Sequence, residues 1–375
     1  MRVRCFDCGN VKSFTAEEWR CDCGGAWEPA DRVPFDPEKI DTRTTSIWRY
    51  GEFLGLDIKK ASVPMGVGWT PLVPFEYSGV KTYLKLEYLS PSGSFKDRGV
   101  NTMVSQLKHM GVKSVIEDSS GNAGASLAAH AARFGLDAQI YVPAYASPAK
   151  KHQISVYGAE VIAIEGTRKA AEEAAQAAVK HEQAYASHAY HPAYLAGQIT
   201  AAYELWEQLG RRIPDWILMP VAQGGQFLGL WFGFRDLYRA GLSEGLPRLV
   251  AVQAERVAPI YQAWQKALDS IPEVTVTELT VAEGIAIPKP VRGKRLLQAL
   301  RETNGRVLKV NETEIMVAQQ TLGHQGYYIE PTSAVAVAGL EKIKKEFTEN
   351  DIVILILTGN GLKGAPERIQ GKHAS

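Results

Sequence analysis

One lysine of this sequence, Lys96, stands where an amine could take part in covalent chemistry. It lies in "SPSGSFKDRG", between the alternating strand pattern of "KTYLKLEYL" and the helix pattern of "KDRGVNTMVSQLKHMG". A lysine that is partly removed from water has a lowered pKa, and its neutral amine is a nucleophile. Taken alone, the same letters also fit an ordinary surface loop, so the other motifs must decide between the two interpretations.

Three further turns combine glycine with polar residues directly after predicted strands. "SSGNAG" at 119–124 offers hydroxyls, an amide and backbone N–H groups, which suit a carboxylate and a ring hydroxyl. "AQGGQFLG" at 222–229 lets backbone N–H groups approach an anion at a helix start. It lacks the P-loop and dinucleotide fingerprints, which favours a single phosphate group as its ligand. In "TGNG", Thr358 ends a buried strand, where its hydroxyl must find a partner.

Each of these turns also has a purely local interpretation. Ser120 or Asn122 could simply cap a helix. The glycines after residue 222 could serve tight packing alone, and Thr358 could bond a neighbouring backbone carbonyl. The turns are informative because they occur together: a lysine, a cradle for one phosphate, an amide and a terminal hydroxyl match pyridoxal phosphate held as a Schiff base.

All four cysteines lie within the first 23 residues, in the pattern "CFDCG…CDCGG". Two cysteine pairs, each followed by glycine, are typical of a small tetrahedral zinc ribbon. The predicted ligands are Cys5, Cys8, Cys21 and Cys23. Four thiolates leave no open position, so we expect a structural zinc rather than a catalytic one. The alternative is a metal-free ribbon with reduced thiols, because the C-x-C half is tighter than the usual C-x2-C.

Apolar strand patterns alternate with helix patterns along most of the chain, which predicts parallel sheets covered on both faces. We predict an α/β fold with two open parallel-sheet domains and a small N-terminal zinc-ribbon-like segment. The ribbon spans 1–30, the large domain combines 31–92 with 205–375, and the small domain spans 93–204. Ligands of such sheets bind beyond the carboxyl ends of the strands, where all four turns are expected to meet in one crevice.

Composition and charge exclude several classes of function. The chain is 45% hydrophobic and 22% charged, with a net charge of +1, so it carries no electrostatic footprint for nucleic acid or an anionic membrane. No apolar run approaches the roughly 18 to 20 residues that span a bilayer, and the start lacks the apolar stretch of a secretory signal. We therefore expect a cytoplasmic protein. Its expected partners are a small-molecule amino-acid substrate and a second copy of the chain, as a homodimer.

The motif "SPSGSFKDRG" resembles the cofactor-lysine motif of the threonine synthase family. This family belongs to a larger pyridoxal-phosphate group with tryptophan synthase β and the serine/threonine dehydratases. The resemblance runs from the cysteine ribbon to "LTGNGLKG" and includes "SSGNAGAS", "VYGAEVIAIEG", "GQITAAYE", "AEGIAI" and "IEPTSAVAVAG". It implies the tryptophan synthase β-like fold and a pyridoxal-phosphate-dependent elimination or replacement at the β or γ carbon of an amino acid.

The resemblance also implies a role for each motif residue. Lys96 binds the cofactor and afterwards moves the α-proton of the substrate, Asn122 bonds the ring hydroxyl, and Thr358 faces the pyridine nitrogen. A neutral hydroxyl at that nitrogen favours elimination and replacement over transamination or racemisation. The substrate carboxylate is received by Ser119, Ser120 and Gly121, and the cofactor phosphate by the backbones of Gln223, Gly224, Gly225 and Gln226.

The substrate site departs from the family pattern. Threonine synthases bind the phosphate of O-phosphohomoserine with an Asn-Ser pair and an arginine just before the "GQ" helix. This chain has His188 and Ala189 in place of the pair and Tyr194 in place of the arginine, so charge-assisted bidentate capture is missing there. Lys150 matches a phosphate-facing lysine of the family, with His188 or His191 as possible assistants. The alternative for Lys150 is a solvated helix lysine.

The sequence leaves several functions open. "HPAYLAGQ" and "AEGIAI" resemble the dehydratases, which bind no substrate phosphate, while the ribbon and "SFKDRG" favour threonine synthase. The alternatives to threonine synthase are a threonine/serine ammonia-lyase and a β-replacement synthase such as a cysteate-synthase-like enzyme. A non-enzymatic binder with the same fold is disfavoured, because Lys96, Asn122 and Thr358 are all intact.

Overall fold

A computed structural model of the chain describes residues 1–59, 64–146, 148–180 and 182–364. The N-terminal segment forms a three-stranded antiparallel sheet in the order β2-β1-β3. Its strands are β1 (Arg2–Cys5), β2 (Val11–Ser13) and β3 (Trp27–Pro29). The arm that follows contains two short 3-10 helices, at Pro37–Lys39 and Ile47–Phe53.

A six-stranded sheet forms the largest layer of the molecule, in the order β12-β11-β10-β13-β5-β4. Its strands are β4 (Leu72–Tyr77), β5 (Val80–Lys85), β10 (Trp216–Pro220), β11 (Arg248–Ala254), β12 (Arg306–Val310) and β13 (Val353–Ile356). The central strands are buried almost throughout, which is why they read as continuous apolar runs. All neighbouring strands are parallel except β4 and β5. The antiparallel β4 lies at the edge, where its Pro74 is tolerated.

A second sheet of four parallel strands has the order β8-β7-β6-β9. Its strands are β6 (Ser114–Glu117), β7 (Asp137–Pro143), β8 (Glu160–Ile164) and β9 (Gln183–Tyr185). The helices that connect them are α2 (Asn122–Phe134), α3 (Pro148–Val156) and α4 (Arg168–Ala178). The predicted α/β fold is confirmed, and β4 adds one antiparallel edge strand to it.

Within these described ranges, seven further helices cover the sheets and join them. They are α1 (Lys96–His109), α5 (Pro192–Gln208), α6 (Gly225–Arg239), α7 (Pro259–Gln265), α8 (Gly293–Glu302), α9 (Glu312–His324) and α10 (Pro331–Ile343). Helix α5 packs tightly against α1 and α6 through glycines: a Cβ added at Gly197 would lie 2.1 Å from the Arg98 carbonyl oxygen. The predicted domain limit between residues 204 and 205 falls inside this helix, and the domain limits stay a prediction.

A fully buried ion cluster connects α1, α5 and β5. The Arg98 guanidinium donates to Glu87 at 2.7 Å and to Glu204 at 2.8 Å, and Lys85 Nζ also donates to Glu204. All four side chains have no exposed surface. Because Arg98 is two residues beyond Lys96, the cluster fixes the helix that carries the candidate nucleophile.

No helix in the described part of the chain is long and apolar enough to cross a membrane.

Candidate active site

The four polar turns meet in one cavity between the two main sheets. With the exception of Tyr194 and His191, every residue predicted for the cofactor and the substrate lines it. These are Lys96, Ser119, Ser120, Gly121, Asn122, Lys150, His188, Gln223, Gly224, Gly225, Gln226 and Thr358. Three charged residues that the sequence interpretation did not select, Arg168, Glu283 and Glu330, line the same cavity.

Lys96 is the first residue of α1, and the turn before it is held by Asp97. The Asp97 carboxylate accepts a 2.6 Å hydrogen bond from the Ser92 backbone and further bonds from the hydroxyls of Ser92 and Ser126. Burial lowers the pKa of Lys96 to about 8, although the negative charge of Glu117 opposes the shift. A substantial fraction of the amine is therefore neutral near pH 8, as a nucleophile requires.

The glycine turn at the start of α6 has the features of a cradle for one phosphate group. Gly224 has a φ of +79°, and a Cβ there would lie 2.3 Å from Leu296 Cδ2. The Gln226 side chain is buried, and its amide nitrogen and oxygen have no hydrogen-bond partner within the described residues. A buried amide without a partner, beside the first N–H groups of a helix, fits an oxyanion. The turn is fixed from behind, since the Val291 backbone N–H donates to Gln223 Oε1 at 2.9 Å.

Two polar side chains face the same cavity from other strand ends. Asn122 Nδ2 donates to the two carboxylate oxygens of Glu330 at 2.9 and 3.1 Å, and burial raises the pKa of Glu330. Thr358 Oγ1 lies 3.0 Å from Ser333 Oγ, which also accepts from the Gly359 backbone. An amide and a hydroxyl are therefore available for the polar atoms of an aromatic ring. Together with the glycine turn and Lys96, this donor set fits pyridoxal phosphate.

Two charge-compensated pairs lie at the substrate end of the cavity. His188 Nδ1 lies 2.7 Å from Glu117 Oε1, at the end of β6. Burial raises the pKa of Glu117 well above its usual range and lowers the pKa of His188 well below its own. One proton shared between these two groups leaves the pair without net charge. Lys150 and Glu283 form an ion pair across the cavity, between α3 and the segment that contains "AEGIAI".

Tyr194 and His191 lie behind the cavity rather than in its wall. The Tyr194 ring fits between α1 and α6, where a Cβ added at Gly99 or Gly225 would lie 2.4 or 2.9 Å from a ring carbon. His191 Nδ1 accepts from the Ala193 backbone and so caps α5, and its ring packs edge-on against Phe14 at 4.9 Å. Both side chains are positioned to support the start of α5.

The four cysteines come together at one end of the ribbon. Their Sγ atoms all lie within 4.8 Å of one another, with Cys5 and Cys23 at 3.5 Å and Cys8 and Cys21 at 3.6 Å. Zinc–thiolate bonds of about 2.3 Å in a tetrahedron place the sulfurs about 3.8 Å apart. The spacing therefore fits a tetrahedral metal ion, and the tight C-x-C half does not prevent it.

The ribbon contacts the segment that carries His188. The Arg292 guanidinium donates to the Trp27 carbonyl of β3 at 2.8 Å and to the carbonyls of Ala189 and Tyr190 at 3.2 and 2.9 Å. The Trp19 ring packs edge-on against Tyr190 at 4.9 Å. The ribbon is thus attached next to the substrate end of the cavity.

Sequence reasoning missed Arg168, although a signal for it was present. Arg168 is the first residue of α4 and follows β8, so it lies beyond the carboxyl end of a parallel strand, as the four turns do. Glu330 likewise precedes α10 at the cavity. Arg168 stands two residues after the end of "VYGAEVIAIEG", and Glu330 lies within "IEPTSAVAVAG", to whose residues the resemblance assigns no role.

Comparisons with known proteins agree with the donor set. The family described as "Pyridoxal-phosphate dependent enzyme" matches residues 63–359. The chain is 33% identical to a threonine synthase of Methanocaldococcus jannaschii, over 100% of this chain and 95% of that protein. It is 36% identical to a threonine synthase of Synechocystis sp., over 84% of this chain and 82% of that protein. The predicted dependence on pyridoxal phosphate is confirmed.

Solved structures extend the comparison to the fold. A threonine deaminase of T.th. superposes with a TM-score of 0.67 at 27% identity, over 78% of this chain and 92% of that one. A pyridoxal 5'-phosphate-dependent aspartate racemase gives a TM-score of 0.67 at 26% identity, over 78% and 90% of the two chains. The same architecture thus carries several reactions, and the substrate has to be argued from the cavity.

Proposed function

Since the chain belongs to the pyridoxal-phosphate-dependent enzymes and, within them, to the threonine synthase family, we propose that it converts O-phosphohomoserine and one water molecule to threonine and inorganic phosphate. The observation that carries the proposal is the cavity in which Lys96, the glycine turn at residue 224, Asn122 and Thr358 converge. The near full-length similarity to two threonine synthases supports the choice of reaction.

The residues of the cavity divide the work between binding and proton transfer. Bound pyridoxal phosphate withdraws electrons from the α-carbon of an amino acid. Lys96 Nζ, with a pKa of about 8, accepts the α-proton and returns it to a neighbouring carbon. The Gln226 amide and the N–H groups at the start of α6 hold the cofactor phosphate. The Thr358 hydroxyl would face the ring nitrogen and, because it carries no charge near neutral pH, would not stabilise a protonated ring.

The start of α2 receives the substrate carboxylate. Ser119, Ser120 and Gly121 line the cavity immediately before this helix, whose first N–H groups have no partner within the helix itself. The carboxylate is thereby held on the side of the cavity where Asn122 lies. The opposite side remains for the side chain of the substrate, between Lys150 and His188.

The test compares two products of the holoenzyme. Inorganic phosphate released from O-phosphohomoserine is measured beside the 2-oxo acid formed from threonine or serine. Threonine and phosphate formed together, and lost in Lys96→Ala, are the expected result. Formation of 2-oxobutanoate or pyruvate without phosphate release would instead identify a threonine/serine ammonia-lyase, which the likeness to a threonine deaminase favours. Turnover of O-phosphoserine with an added nucleophile, and of neither other substrate, would identify a β-replacement synthase.

We further propose that the ribbon holds one structural zinc ion and that the enzyme works as a cytoplasmic homodimer. The sulfur–sulfur distances support the metal. Four cysteines confined to a metal-type pattern, with no other cysteine in the chain, support a reducing compartment. Elemental analysis and size-exclusion chromatography with light scattering test the metal and the dimer.

A further inference from the structure

Among the described residues, the lysine and arginine side chains that line the cavity are Lys96, Lys150 and Arg168, and Arg168 has no other assignment. Lys96 is the cofactor lysine, and Lys150 is ion-paired with Glu283. Arg168 enters from the first turn of α4 and is half-buried. Within the described part of the chain, no carboxylate lies within ion-pair distance of its guanidinium.

The surroundings of Arg168 place its charge at the substrate end of the cavity. Burial is the main cause of the lowered pKa values of Lys96 and His188, and the charge of Arg168 adds to both shifts, so all three groups lie near one another in the cavity. The neighbouring acids do not neutralise it. Asp118 accepts a 2.7 Å hydrogen bond from the Tyr185 hydroxyl, and Glu117 is occupied by His188. Glu172, a third acid near Arg168, accepts a hydrogen bond from the Gln176 amide. Within the described residues the guanidinium forms no ion pair with these acids, and it is available to an anion.

The position where the family carries an arginine cannot supply this charge. Tyr194 stands there, and its ring is packed between Gly99 and Gly225 rather than in the cavity wall. The pair formed by His188 and Glu117 has no net charge, so it cannot replace an arginine either. The cavity thus needs a cation from another element if its substrate carries an anionic side chain.

We infer that Arg168 binds the phosphate ester of the substrate side chain, as the replacement for the arginine that Tyr194 displaces. A planar guanidinium donates two parallel hydrogen bonds to a phosphate, which lysine does not. The substrate class is therefore an amino acid whose γ or β carbon carries a phosphate ester. This inference rests on the proposed function, since it names the residue that selects the proposed substrate.

The test measures binding of inorganic phosphate to the holoenzyme by calorimetry. The cofactor already fills the turn at residue 224, so added phosphate reports on the substrate side. Arg168→Gln should weaken phosphate binding about 10- to 100-fold, the range expected for a charge-assisted contact. Arg168→Lys should recover part of the loss. Lys169→Gln, the same change of charge at the next and exposed residue of α4, is the matched control and should bind as the wild type does.

Steady-state kinetics give a second readout. In Arg168→Gln the KM for O-phosphohomoserine should rise by a similar factor while kcat changes little, and the visible absorbance of the bound cofactor should be unchanged. Equal phosphate affinity in Arg168→Gln and Lys169→Gln overturns the inference, as does a wild-type holoenzyme that binds no phosphate. Phosphate binding that depends on Arg168, in an enzyme that releases none from O-phosphohomoserine, supports the inference while the proposed function fails.

Discussion

Replacing Arg98 with leucine should destabilise the enzyme by about 3 to 5 kcal/mol, because it leaves two buried carboxylates short of a positive partner. The Arg98 guanidinium donates to Glu87 and to Glu204, and only Lys85 would remain to compensate them. The pKa of Glu204 gives a second estimate. Arg98 and Lys85 together lower this pKa from 4.5 to about 2, against the effect of burial. A shift of that size corresponds to about 3 kcal/mol of stability at neutral pH.

The pH dependence follows from the sign of the shift. A carboxyl group whose folded pKa is depressed stabilises the protein above its unfolded pKa and loses that contribution as the pH falls. For Glu204 the contribution should fall to about 2 kcal/mol at pH 3.5 and vanish below pH 2. The difference in stability between the wild type and Arg98→Leu should therefore narrow between pH 7 and pH 3.5.

The assay is urea unfolding followed by tryptophan fluorescence at the two pH values. Arg306→Leu is the control, since it removes an arginine from a surface ion pair whose side chains are 42% and 39% exposed. Such a surface pair contributes about 0 to 1 kcal/mol to the free energy of unfolding. If Arg98→Leu unfolds at the same urea concentration as Arg306→Leu, the buried cluster does not stabilise α1 in the way argued. A shifted cofactor absorbance in the folded variant would show that the cluster also orients Lys96.

Three further predictions concern the site and the ribbon. Borohydride should trap the cofactor on Lys96. The rate of cofactor binding to the apoenzyme should increase as the pH rises through about 8, since only the neutral amine reacts. A binding rate that stays constant from pH 6.5 to 9 would contradict this. Gly224→Ala should lose cofactor affinity, because the added Cβ would collide with Leu296. Gly241→Ala should retain that affinity, because Gly241 also has a positive φ, of +71°, but has open space around it. Equal losses of cofactor affinity in the two variants would mean that backbone strain alone is responsible. Chelation should remove about one zinc per chain and leave the cofactor absorbance intact. It should raise the KM, because Arg292 joins the ribbon at Trp27 to Tyr190, close to His188. An unchanged KM would mean that the ribbon does not influence the cavity.

The sequence was most informative where one residue type is physically required. The strands β10 and β13 are buried on both faces, so their apolar runs predicted a parallel sheet directly. The edge strands β4 and β12 were not predicted, because each is only partly buried and β4 contains a proline. Glycine, lysine and cysteine motifs are recognised by the spacing of their residues along the chain. The glycine and lysine motifs, with the resemblance they support, therefore located half of the residues that line the cavity, and the cysteine motif located the four sulfurs of the ribbon.

The substrate side was harder to predict because it depends on packing across elements. By alignment, Tyr194 takes the position of a phosphate-binding arginine, yet its ring occupies the gap that Gly99 and Gly225 leave between two helices. A motif preserves the order of residues and not the direction in which a side chain points. Arg168 shows the converse, since it belongs to none of the recognised motifs and still reaches the cavity.

The charge balance of the cavity explains why one arginine matters so much for the reaction. Lys150 is ion-paired to Glu283, and His188 shares a proton with Glu117, so neither pair adds net charge. Lys96 is uncharged when it acts as a nucleophile or accepts a proton. A dianionic phosphate ester that entered such a cavity without Arg168 would exchange water for a site whose described cations are already compensated, which is unfavourable for a charged group. Selection between a phosphorylated and a free hydroxyl substrate therefore depends on a single guanidinium at the first turn of α4.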